Sequence, residues 1–192
     1  MDIDISKARL IHQDERFPNQ VMSIPELEWL AEHARTHTRI VEVGCWMGRS
    51  TRALADNTPG LVYAVDFWPR EPEAFQRFGQ NLVDLLNKKV FVVHMPSIDA
   101  ANLFIAAKQK VDMVFIDGNH DYEYVSEDIR LWRQVLEPGG LLCGHDYADP
   151  GTVDYTPSVN RAVDEQVPDV QVLRGVAEGT TYDTCRIWWK VL

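Results

Sequence analysis

Apolar positions along the chain switch repeatedly between two periods. From residue 24 to about 36, Leu27, Leu30, Ala31 and Ala34 fall three and four apart, which predicts a helix packed by one face. Ser23 and Glu26 stand at capping-box spacing ahead of it, with Met22 and Leu27 placed as a staple. A β-branched run follows at 39–43 and stops at Gly44. After a tight loop, a helix is expected from about 49 to 56, stopping at Asn57-Thr-Pro-Gly60. The same alternation then repeats. Strands are predicted at 61–65, 90–93, 111–116 and 141–144. The helices between them are expected at about 73–87, 99–107 and 122–136. The first carries Phe75, Phe78, Leu82, Leu85 and Leu86 on its apolar face, and the last carries Val125, Ile129, Trp132 and Leu136. Glu137-Pro-Gly-Gly140 is read as the stop of that last helix. A polar loop covers 148–157, Ser158 stands where it can cap a helix to about 166, and strands at about 170–174 and 183–191 close the pattern as a hairpin.

This alternation predicts an α/β fold, a mostly parallel sheet with helices on both faces. Ligands of such sheets sit outside the carboxyl ends of the strands. Those ends carry Glu42–Gly44, Asp66, Asp117–His120 and His145–Asp146. The whole chain, 1–192, reads as one domain, with an N-terminal arm or lid at 1–22 and an active-site loop at 147–157.

Composition narrows the partners. A length of 192 residues with 45% hydrophobic content suits one globular core. No run approaches the ~18 apolar residues of a membrane span, and the acidic N-terminus does not resemble a secretory signal. Three scattered cysteines form no CxxC motif and fit a reducing, cytoplasmic setting. The net charge of −10 carries no basic block, so neither nucleic acid nor membrane is an expected partner. The expected partner is a small-molecule acceptor, and a homo-oligomer is left open.

Gly44 and Gly48 allow a sharp turn and close approach to a ligand. The loop is not a dinucleotide fingerprint, because Trp46 stands where a second glycine is expected. Glu42 beneath it would repel a pyrophosphate and attract an ammonium or sulfonium. Asp66 ends the second strand, where a carboxylate can accept both ribose hydroxyls. Phe67 and Trp68 follow and can stack on an adenine, and Ser97 past the third strand can bond the base edge. Together these describe S-adenosyl-L-methionine better than a nicotinamide dinucleotide. Each has a plainer reading: a local cap for Glu42, a turn acid for Asp66, core packing for the aromatics.

The motifs resemble class I S-adenosylmethionine-dependent methyltransferases of the methyltransferase domain 24 type, a group of small-molecule O-methyltransferases. The resemblance runs from about residue 24 onward. Glu42-Val-Gly-Cys-Trp-Met-Gly-Arg-Ser-Thr51 resembles the group's glycine loop, which implicates Cys45, Ser50 and Thr51 with Glu42, Gly44 and Gly48. Ile116-Asp-Gly-Asn-His-Asp-Tyr-Glu-Tyr124, Leu136-Glu-Pro-Gly-Gly140 and Gly144-His-Asp-Tyr147 carry the most specific likeness. The resemblance implies a Rossmann-like sheet of seven strands in the order 3-2-1-4-5-7-6 with the seventh antiparallel. It also implies transfer of a methyl group to a hydroxyl of a sugar or secondary metabolite.

A hydroxyl acceptor needs its proton managed, by a histidine base or by a divalent cation that lowers its pKa. Metal-dependent relatives place acidic ligands at the fourth and fifth strand ends, which implicates Asp117 and Asp146 here; His145 departs from the usual acid. A set of Asp117, His145 and Asp146 would favour manganese, iron or zinc over magnesium. By the same resemblance His120, three residues past Asp117, is the expected base, with His145 its rival. His12 and His94 read as structural, and His33 and His37 as solvent-facing. Glu123, Glu127 and Asp128 read as a solvated first helical turn. The competing function is a dinucleotide oxidoreductase or a non-catalytic cofactor-binding protein.

Overall fold

A computed structural model describes residues 2–11, 22–68, 72–150, 155–175 and 185–192. The predicted capping box starts α1, Ile24–Ala34, and its face of Leu27, Leu30, Ala31 and Ala34 is buried. The central strand β1, Arg39–Val43, is buried from Ile40 onward on both faces, and Glu42 is the one charged residue within that buried stretch. Then come α2 (Arg49–Asn57), β2 (Leu61–Asp66), α3 (Pro72–Asn81), β3 (Val90–His94), α4 (Ser97–Ala106), β4 (Val111–Ile116), α5 (Tyr122–Val135), β5 (Leu136–Gly144), α6 (Pro157–Gln166), β6 (Gln171–Val172) and β7 (Trp188–Val191). They build one seven-stranded sheet in the order β3-β2-β1-β4-β5-β7-β6. The first five strands run parallel, and β7 runs antiparallel to both β5 and β6.

Alternate residues of each strand serve the two faces. Ile40, Ala64, Met113 and Phe115 pack under α1, α2 and α3. Val41, Val43, Val65 and Val114 pack with Ala100, Phe104, Ile129 and Trp132 on the other face. Glu42 shares the side of Ile40, which aims its carboxylate toward the start of α2.

Element boundaries differ from the expectation in four of these places. The third helix ends at Asn81 rather than near 87, and Leu82 continues its buried stripe from a turn. The fifth strand begins at Leu136, which pairs with Val111 of β4, and Gly139 and Gly140 bond Leu192 further along instead of only ending the helix. The fourth helix starts at Ser97, so Asp99 lies in its first turn and does not cap it. The sixth starts at Pro157, which puts Ser158 inside it as well. Much of the expected lid, residues 12–21 with His12, and residues 151–154 of the expected loop lie outside the described residues. Among the described residues no helix is long and apolar enough to cross a membrane.

Candidate active site

The loop between β1 and α2 has little freedom. Gly44 sits at φ +84°, and a Cβ there would fall 2.0 Å from the Asp117 carbonyl oxygen. Only glycine fits where the ends of β1 and β4 approach this closely. Gly48 is also left-handed, at φ +85°, and a Cβ would meet Leu82 Cδ1 at 2.9 Å. Gly48 N–H closes the turn on Cys45 O at 2.7 Å.

Asp66 fastens this loop to β2. Its Oδ2 accepts from Cys45 N at 2.8 Å and Trp46 N at 2.9 Å. Its Oδ1 accepts from Phe67 N at 2.6 Å and Trp68 N at 3.1 Å. Four N–H groups thus fill the roughly four acceptor sites of one carboxylate. The Cys45 thiol is buried against Glu42 O and Val65 O, and burial pushes its pKa well above the ordinary value. A thiol so held is unreactive.

Glu42 is fully buried, and neither carboxylate oxygen has a hydrogen-bonding partner among the described residues. Burial lifts its pKa to about 7; the Ser50, Thr51 and Cys45 side chains lie near enough to ease the rise without reaching hydrogen-bonding geometry, and the Asp66 charge adds to it. Thr51 Oγ1 beside it is buried and unpartnered too. Buried polar groups are rarely left so. An ammonium placed above them would satisfy both, so the residues present fit the amino-acid end of S-adenosylmethionine.

The aromatic pair separates. Trp68 is buried, donates from Nε1 to Trp46 O at 2.8 Å, and packs on Phe75 and Phe78. Phe67 is exposed. Ser97 Oγ donates to Asp128 at 2.6 Å and accepts from Trp132 Nε1 at 2.8 Å. Asp128 is therefore a buried acid, not part of a solvated turn, and burial raises it to about 6. It lies on the same helix face as Trp132, four residues on, and the charge run around it hid that.

The acceptor side is built on the neighbouring ends of β4 and β5. Asp117 N–H bonds Val43 O at 2.8 Å and His145 N–H bonds Ile116 O at 3.0 Å, so these ends are held level. Asp146 adopts φ +61°, rare for a non-glycine residue, and this turns its carboxylate toward the loop after β4. His120 Nε2 lies 2.9 Å from Asp146 Oδ2, and its ring is half exposed. His145 lies behind them. Its Nδ1 is 3.4 Å from Asp146 Oδ2 and 3.7 Å from Asp117 Oδ1, and its Nε2 is 3.0 Å from Glu26 Oε1.

These contacts separate the titrations. The Asp146 bond raises His120 against the opposing effect of burial. Burial would lower His145, but Glu26, Asp146 and Asp117 hold it well above the ordinary value. Burial would raise Asp146, yet the two histidines hold it well below. Burial raises Asp117 to about 7, with His145 opposing and Asp146 reinforcing. His145 is thus a buried cation, and His120 is the ring that faces outward.

One ligand atom each from Asp117, His120 and Asp146 lies within 4.8 Å of the others. Two carboxylates and an imidazole are a fitting donor set for a divalent ion. The grouping differs from the expected Asp117, His145 and Asp146 in having His120 where His145 was expected. Glu26 itself was legible only as a capping residue. Other histidines are built into packing: His94 bonds Phe67 O at 2.9 Å, and His33 stacks on Trp29 at 3.7 Å rather than facing solvent.

A cavity of about 500 Å³ lies elsewhere, beside Lys110, Arg133, Leu136 and Lys190. Lys110 and Leu136 stand at the amino ends of β4 and β5, opposite the residues above. Lys110 and Arg133 donate there to the carbonyls of Gln134 and Gln166 at helix ends, a capping role.

Comparison with known proteins agrees with this arrangement. A segment of 61 residues is 36% identical to uncharacterized protein R132 of Acanthamoeba polyphaga mimivirus, covering 32% of this chain and 26% of that one. The match thus spans about a quarter of that relative's length. An O-methyltransferase from Bacillus cereus, solved in complex with SAH, shares the fold with TM-score 0.75 and 17% identity over 98% of this chain and 90% of its own. The O-methyltransferase TomG of Streptomyces achromogenes, involved in tomaymycin synthesis and solved with SAM, gives TM-score 0.72 and 19% identity over 100% and 90%. The family model described as a methyltransferase domain matches residues 41–147, from the middle of β1 through Asp146 and Tyr147, and so takes in both halves of the site. With more than half of its length matched in this way, the chain belongs to the methyltransferase domain 24 family.

Proposed function

We propose that the protein is an S-adenosylmethionine-dependent O-methyltransferase acting on a small-molecule hydroxyl. The observation that carries this is the buried Glu42 carboxylate under the glycine loop, unpartnered among the described residues, on the strand next to the one that leads into the histidine–aspartate cluster. A pyrophosphate would meet repulsion there, whereas a ligand with an ammonium would gain a charge-assisted bond.

S-adenosylmethionine supplies the activated methyl group. Glu42 and Thr51 hold the ammonium end, and the left-handed Gly44 lets the backbone pass close to the ligand. Asp66 keeps the loop in place, and a ribose diol would compete for its Oδ1 with the Phe67 and Trp68 N–H groups. Ser97 stands at the base-side strand end and holds the start of α4 through Asp128. On the acceptor side His120 accepts the hydroxyl proton, and Asp146 orients its ring and stabilises the charge it gains. His145, already cationic and buried, keeps the two neighbouring carboxylates from repelling each other.

A second reading is favoured by the close grouping of Asp117, His120 and Asp146. These residues would hold a divalent ion, which lowers the pKa of a bound hydroxyl; His120 is then a ligand rather than the base.

Calorimetry against S-adenosylhomocysteine and NADH tests the cofactor. Binding of the first alone is expected, and binding of NADH alone would replace this reading with an oxidoreductase. Labelled methyl transfer to a panel of hydroxyl compounds, with and without chelator, then decides between base and ion. Loss of transfer in chelator, restored by a divalent salt, selects the ion.

A further inference from the structure

Glu26 does more than a helix cap requires. Its side chain is 1% exposed, and both oxygens are fully used. Oε2 accepts from Ser23 N at 2.7 Å and Ser23 Oγ at 2.8 Å, which completes the cap of α1. Oε1 serves two distant segments. It accepts from Arg186 N at 2.7 Å, just ahead of β7, and from His145 Nε2 at 3.0 Å. Burial alone would raise this carboxyl, but His145 and the Ser23 bonds hold it below its ordinary value.

Burying a carboxylate costs several kcal/mol unless its partners are good, and a surface cap would avoid that cost. What the burial achieves is a fixed imidazole. With Nε2–H committed to Glu26, the ring must turn Nδ1 toward Asp117 and Asp146. Asp146 Oδ2 is in turn the atom that meets His120 Nε2.

We propose that Glu26 is a positioning residue for the acceptor-side cluster, acting through His145 on Asp146 and so on the His120 ring. The start of α1 is thereby linked to the group that meets the acceptor. The proposal rests on the reading of His120 as that group. Nothing in the cofactor half enters the chain of contacts.

Nitrogen-15 spectra of the histidine rings in the full-length, ligand-free protein test it. In the wild type His145 should show a protonated, slowly exchanging Nε2. Glu26→Gln is expected to shift the ring nitrogens of both His145 and His120. Ser23→Ala removes one bond to Glu26 Oε2 but leaves the Ser23 N–H on that oxygen and the His145 bond on Oε1, so it should lower Tm while shifting His120 far less than Glu26→Gln. His145→Gln keeps an amide that can reach Glu26 but cuts the link to Asp146, so it should shift His120 even if Glu26→Gln folds poorly. An unmoved His120 in folded Glu26→Gln, an unmoved His120 in His145→Gln, or a shift in Ser23→Ala equal to that in Glu26→Gln would each overturn the proposal. S-adenosylhomocysteine binding is measured alongside. Its absence in the wild type would defeat the cofactor reading, while the spectra still decide the positioning role.

Discussion

The two halves of the site treat their carboxylates in opposite ways. On β1 and β2, among the described residues, Glu42 and Asp66 face no cation: Glu42 is buried without a hydrogen-bonding partner, and Asp66 is saturated by backbone N–H groups. On β4 and β5 each acid faces a histidine, and His145 carries a charge between Asp117, Asp146 and Glu26. One half is incomplete until a positive group arrives. The other is already neutralised by its own side chains. Acids at neighbouring strand ends can thus differ in charge state, because the charges facing them differ.

The largest effect is expected where the halves touch. Gly44→Ala would force a Cβ onto the Asp117 carbonyl in a left-handed conformation, and should remove S-adenosylhomocysteine binding and cost about 3 kcal/mol or more of stability. A wild-type melting temperature and affinity would mean that the two strand ends do not meet as described.

Next, His120→Ala should separate the halves. Methyl transfer is expected to fall by about 10²–10⁴-fold, the usual size of general-base catalysis, with cofactor-product affinity unchanged. If affinity fell in parallel, His120 would belong to cofactor binding.

Glu42→Gln should act on the other half, with opposite signs for binding and stability. S-adenosylhomocysteine affinity should drop by about tenfold or more, the worth of a charged hydrogen bond. The free protein should gain stability. The Glu42 carboxyl goes from an ordinary 4.5 to about 7 on folding, so the native state holds the extra proton. Its contribution to stability therefore falls as pH rises from about 4.5 through about 7. The advantage of the variant should be absent below that window and full above it, at most about 3 kcal/mol. Melts across the pH range check this; a variant that is less stable at pH 8 would show that Glu42 is satisfied in the free protein.

The smallest effect is expected from Ser97→Ala. Its hydroxyl is spent on Asp128 and Trp132, so stability should fall by about 1 kcal/mol while S-adenosylhomocysteine affinity stays put. A selective loss of affinity would return Ser97 to the base edge.

While the strand order was implied by the family resemblance, the sequence by itself determined the alternation of strands and helices, the cap of α1, the glycine loop and the strand ends that carry the candidate residues. These follow from local periods and from residue types with narrow uses, such as a glycine before a turn and an acid closing an apolar strand. It determined the family as well, since the motifs lie within continuous segments. Only the tertiary structure decided which partner each acid has. Asp128 reads as one of three acids in a solvated turn until Ser97 and Trp132 close over it. His145 reads as a rival base until Glu26, 119 residues earlier, takes its far nitrogen. The physical reason is range. Periodicity and capping are set by neighbours a few residues apart, whereas a charge is set by whatever the fold brings within about 4 Å of it.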